Sequence, residues 1–145
     1  MRITITANTV KVEKRLKKII DGVKDFKKPL KKSAKDAIFI YQGNFEKKGA
    51  EFGGWAKLAP STIMAKARMG YPLTPLVATG QMKRAFRTLS LSKDTVVVGN
   101  ETEYYPYHQL GTKNIPRRVM ISLNAKLEKQ IIDNFENFFK DLIYN

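Results

Sequence analysis

Cysteine does not occur in this chain, and histidine and tryptophan each occur once. The missing thiol excludes disulfides, thiolate zinc sites and a cysteine nucleophile. With one histidine, a metal would have to rely on carboxylates, and Glu101 and Glu103 stand alone on a loop or strand edge. Phosphate-cradling loops are missing too. Gly49, Gly53 and Gly54 lack both the G-x-G-x-x-G and G-x-x-x-x-G-K spacings and the strand that should precede them. No apolar run approaches the ~20 residues that span a bilayer, so no membrane segment is expected. The opening stretch "MRITITANTVKVEKRLKK" alternates instead of forming an apolar leader core, which places the chain in the cytoplasm when made. No cofactor is called for.

Acidic residues are scarce: 13 Asp and Glu face 27 Lys and Arg, a net charge of +14. The excess is uneven. Residues 1–50 carry 14 basic and 5 acidic side chains, residues 51–100 carry 7 and 2, and residues 101–145 carry 6 and 6. A field of this sign attracts polyanions and repels copies of itself. It fits a nucleic acid, an acidic protein partner or a lysine-rich solvated face. The lysine runs at 17–18, 27–28 and 31–32 lie opposite apolar stripes, and the solvated face explains their spacing.

The 145 residues suit one domain, and a hydrophobic fraction of 43% supports a core. Residues 2–6 alternate like a short strand. Val12, Leu16, Ile19, Ile20, Val23 and Phe26 then recur at helical spacing. Pro29 should stop or kink that helix by pushing Lys28 out of the α region, and it suits the first turn of a second helix. The second helix carries Leu30, Ala34, Ala37, Ile38, Tyr41 and Phe45 on one face and should end near Gly49. Residues 1–49 thus form a strand and basic helices, and 50–78 are loop-rich. Within the latter, Ser61 or Thr62 caps a short helix to about Arg68, and Met69–Leu76 is a mobile loop. Residues 79–123 give a helical stretch from Gln81, a hairpin turning at Ser92-Lys93-Asp94, a corner at 104–111 and a strand at Val119–Leu123. A last amphipathic helix over 124–145 starts at Ser122 or Asn124. The expected class is α+β, with N-terminal helices and a C-terminal helix on a small antiparallel sheet.

The stretch "YYPYHQLGT" (104–112) concentrates three tyrosines, the lone histidine and a glycine. His108 is the only candidate general base at neutral pH. A small ribonuclease would combine it with Arg117, Arg118 or a tyrosine. A packed, hydrogen-bonded structural histidine is the reading favoured over catalysis, because no second acid/base group lies in the same stretch.

Read in order, "GGWAKLAPSTIMAKAR" (53–68), "LVATGQMKRAF" (76–86), "DTVVVGNETEYYPYHQLGT" (94–112) and "IPRRVMISL" (115–123) resemble the phage virion morphogenesis, or tail completion, family. Its pattern runs G-x-W-x-x-L-x-x-x-T, D-T-G-x-[LM], V-x-V-G, Y-x-x-x-H-Q-x-G and I-P-x-R. The matching residues here include Trp55, Thr79, Gly80, Tyr104, His108, Gln109, Gly111, Pro116 and Arg117. Ala78 departs from the acidic residue usual before Thr-Gly, and Val119-Met120 replaces Pro-Phe. The resemblance implies a non-enzymatic structural protein that completes the tail or joins it to the head, often as a ring. Its partners would be tail and connector proteins and copies of itself, in the host cytoplasm during assembly and then in the virion. In that setting His108 and Gln109 hydrogen-bond the turn, the three tyrosines pack or cap, and Gly111 relaxes the backbone. Lys83, Arg84 and Arg87, beside the Thr79-Gly80 turn, form a surface for passing DNA or for assembly. A basic nucleic-acid-binding module is the rival reading.

Overall fold

The computed structural model describes residues 9–144. The strand read at residues 2–6 lies outside them. The architecture is α+β, organised around one long helix.

That helix is α2 (Lys27–Glu46), and its inward row Ala34, Ala37, Ile40, Tyr41 and Phe45 is buried. Pro29 sits in its first turn, where no backbone N–H is needed for the helix, so Lys27 and Lys28 stay helical. The break falls earlier than Pro29 predicts. Helix α1 (Thr9–Gly22) ends ahead of Phe26, whose N–H donates to the carbonyl of Lys93 at 2.7 Å. The Phe26 ring meets Phe135, Phe138 and Phe139.

The apolar stripe of α1 is not in the core. Val12, Leu16 and Ile20 are each just over half exposed. The helix touches α6 (Ala125–Tyr144) through Arg15, which donates to the Ile143 carbonyl, and through Leu142, which lies against Gly22.

Strands β1 (Phe86–Leu91) and β2 (Val96–Asn100) pair antiparallel, Phe86 opposite Asn100 and Leu91 opposite Val96. The register slips between Thr88 and Ser90, leaving Leu89 as the extra residue of a bulge. Both strands pack on α2, and α6 packs along α2. Asn134 of α6 is buried and donates from Nδ2 to Ser33 Oγ at 3.2 Å and Asp36 Oδ2 at 2.7 Å. Asn124, not Ser122, caps α6: its Oδ1 accepts the Leu127 N–H at 2.9 Å.

Two expectations fail locally. Helix α3 (Pro60–Arg68) takes Ala59 as its N-cap, with Pro60 opening the helix, so Ser61 and Thr62 lie inside its first turn. Proline's fixed φ makes it a good first helical residue without a side-chain cap. Residues 119–123 belong to no strand. Their backbone groups are taken by side chains, as the site geometry makes plain. Short helices α4 (Gln81–Arg84) and α5 (Tyr105–Leu110) complete the chain. The core joins Tyr41, Phe45, Trp55, Met82, Phe86, Met120 and Leu127. Among the described residues no helix is long and apolar enough to cross a membrane.

Candidate functional site

Trp55 sits at the centre of the site. Its indole stands edge-on to Phe45 with ring centroids 5.1 Å apart, and its Nε1–H donates to the Val119 carbonyl at 2.8 Å. Gly49, at φ +83°, lies under the indole, and a Cβ there would overlap the ring. The chain therefore turns tightly after α2 and drops the tryptophan into the core.

Gln109 grips the same segment from the other side. Its Oε1 accepts the N–H groups of Met120 at 2.7 Å and Ile121 at 3.1 Å, and its Nε2 donates to the Ile121 carbonyl at 2.8 Å. One side-chain amide thus replaces a neighbouring strand. Two residues on, Gly111 has φ +77°, and a Cβ would stand 3.0 Å from the Arg117 backbone nitrogen. Arg118 closes the ring of contacts. It is buried, its N–H donates to the His108 carbonyl at 2.7 Å, and its guanidinium reaches the carbonyls of Ala56 at 3.1 Å and Lys57 at 3.3 Å.

The corner expected at 104–111 is the short helix α5 with Gly111 past its end. The Gln109 side chain reaches residues 120 and 121 instead of bonding its own turn, and His108 contributes its backbone carbonyl. The His108 Nδ1 is covered and has no hydrogen-bond partner. Burial, then the nearby Arg118 charge, holds its pKa below the ordinary histidine value, so the ring is neutral at pH 7. Among the described residues no carboxylate bonds to this ring to orient it as a base. The tyrosines divide. Tyr105 packs edge-on to Phe86 at 6.2 Å, and burial, helped by Tyr41, pushes its hydroxyl up to about 12. Tyr104 is exposed and lies edge-on to His108 at 6.5 Å, while Tyr107 is more than half exposed and packs on nothing in the core.

Beside this latch runs a groove of about 560 Å³ between α3, residues 76–82, His108 and the turn at 114–118. Lys66 crosses its floor and donates to the carbonyls of Thr74 at 2.6 Å and Val77 at 2.5 Å. These bonds tie the loop expected to be mobile, flanking Leu76, whose φ of +60° is unusual for a non-glycine residue. Desolvation, then Arg118, lowers the Lys66 pKa.

Lys83, Arg84 and Arg87 do not form a free basic patch. Lys83 pairs with Glu46 at 2.6 Å, Arg87 pairs with Glu101, and Arg84 folds back onto the Thr79 carbonyl at 3.1 Å. Thr79 and Gly80 shape the entry to α4 and line the groove. Pro116 and Arg117 are exposed, and Arg118 carries the internal bonds. Sequence reasoning named the pair of arginines but could not say which would turn inward. Lys66 was hidden in a helix with ordinary lysine spacing. No protein-family model matches the chain, and neither does any curated protein or solved structure.

Proposed function

We propose that this chain is a structural, non-enzymatic subunit of a tailed phage or prophage, acting at tail completion or head–tail joining and working as a ring with copies of itself and neighbouring tail or connector proteins. The observation that carries the reading is convergence. Trp55, the Gln109–Gly111 pair and the Arg118 that follows Ile115-Pro116-Arg117 come from three separate motifs and meet in one latch. The Trp55, Gln109 and Arg118 side chains all bond to backbone groups of distant segments, which is the chemistry of a scaffold. Half-exposed apolar side chains on α1, together with Ile63 and Met64 on α3, suit a subunit that is covered on assembly. The protein would be made in the host cytoplasm and end in the virion, next to passing DNA.

The net charge of +14 favours a second reading, a nucleic-acid-binding module. Complementation separates the two. A phage lacking this gene should give unjoined heads and tails in electron micrographs, rescued by the wild-type chain. Joined, infectious particles without the protein would sink the assembly reading.

A further inference from the structure

The groove beside the latch has a charge imbalance that the scaffold does not use. Lys57, Lys66 and Arg118 line it, and no Asp or Glu does. Among the described residues neither Lys66 nor Arg118 has a carboxylate partner, and both direct their bonds to neutral carbonyls. Two cations lining one partly dry groove are unfavourable unless an anion joins them. Each has further donors. The ammonium has three N–H groups and uses two; the guanidinium has five and uses two. Around them the wall is apolar, with Leu58, Leu76, Val77, Met82 and Ile115.

We propose that this groove binds an extended segment of an adjoining protein, one carboxylate meeting Lys66 and Arg118 and a neighbouring large apolar side chain lying against Leu58, Leu76 and Ile115. Only the source of the segment rests on the assembly reading. A nucleic-acid strand fits less well, because its regularly spaced phosphates need a continuous basic track, and this groove is mostly apolar.

The probe is the peptide acetyl-Leu-Glu-Phe-Asp-Leu-amide, with acetyl-Leu-Gln-Phe-Asn-Leu-amide as its neutral control. Each is titrated into the isotope-labelled full chain at about 0.3 M salt, where long-range attraction is screened. The acidic peptide should give saturable shifts confined to the amides around Lys66, Val77, Thr79 and Ile115. The neutral control should bind about tenfold more weakly or worse, since it cannot form the charge-assisted bonds. Thr62→Glu places a carboxylate on the exposed rim of the groove, away from the latch, and should abolish binding with the melting temperature unchanged. Equal affinity for both peptides, shifts spread over the lysine surface, or displacement by an oligo(dT) of about 12 nucleotides would overturn the proposal. Peptide binding by a chain that fails the complementation test would reject the tail reading and keep the groove. Rescue by the wild type without peptide binding would do the reverse.

Discussion

Gln109 serves residues 120–121 as a neighbouring strand would, and the chain depends on it for that. Gln109→Leu leaves two backbone N–H groups and a carbonyl without partners, so it should cost about 2 kcal/mol or more in chemical denaturation. Gln109→Glu keeps the acceptor and should cost less. Gly111→Ala meets both a backbone conformation (φ 77°, ψ 163°) that is essentially confined to glycine and a backbone nitrogen 3.0 Å from the new Cβ, and the conformational part alone is about 1–3 kcal/mol. His108 acts through pH. Its pKa is lowered on folding, so the unfolded chain takes up the proton first. Stability is therefore complete above the ordinary value of 6.5 and is lost as pH falls below it toward the folded value. Thermal melts between pH 7.5 and 5.5 should show this loss, and His108→Asn should flatten it. An unchanged slope in the variant would show that other groups carry the dependence. In sequence His108 and Gln109 both read as structural residues that hydrogen-bond the turn, yet the covered His108 Nδ1 has no partner. The glutamine beside it does the structural bonding, and nothing in an isolated Gln residue announces which carbonyl it will reach.

At the scale of elements, periodicity reports that a face is apolar but not what covers it. The rows of α2 and α1 look alike in sequence, yet Phe45 is 1% exposed and Leu16 is 53% exposed. The difference is position. Helix α2 lies between the hairpin and α6, whereas among the described residues the main contact of α1 is with α6. The hairpin was legible because its turn chemistry is local: Ser92 and Asp94 bond within four residues. The last helix was legible through its stripe and its Asn124 cap. Residues 119–123 were not, since their apolar run matches a strand and the partners that replace one are side chains from Trp55 and Gln109. The contrast between helices can be measured. Leu127→Ala, at a site 2% exposed, should cost about 2–5 kcal/mol. Leu16→Glu with Ile20→Glu should change stability by no more than about 0.5 kcal/mol per site, while lowering incorporation into joined particles. Unfolding of the double variant would place that stripe in the core after all.

For the whole molecule the question is where a charge of +14 meets its environment. The cations beside the Thr79-Gly80 turn are largely occupied, two by carboxylates and one by a carbonyl. At the start of α2 the situation differs. Lys27, Lys28, Lys31 and Lys32 are exposed, and among the described residues only Lys28 has a carboxylate within reach, Asp141 at 3.8 Å. Long-range attraction to a polyanion should therefore come from this end. A subunit bordering a DNA conduit should bind duplex DNA weakly, without sequence preference, and with affinity falling steeply in salt. Changing the four α2 lysines to Gln should weaken binding and lower the slope of log affinity against log salt by about 0.9 for each phosphate that the variant no longer neutralises. The same change at Lys83, Arg84 and Arg87 should leave the slope nearly intact and instead loosen the pairing with Glu46 and Glu101. Fluorescence titrations of two unrelated duplexes across a salt series read both quantities. A preference between the duplexes that survives at about 0.15 M salt would indicate base-edge contacts, each worth about 1–3 kcal/mol, and would favour a dedicated nucleic-acid reader over a scaffold.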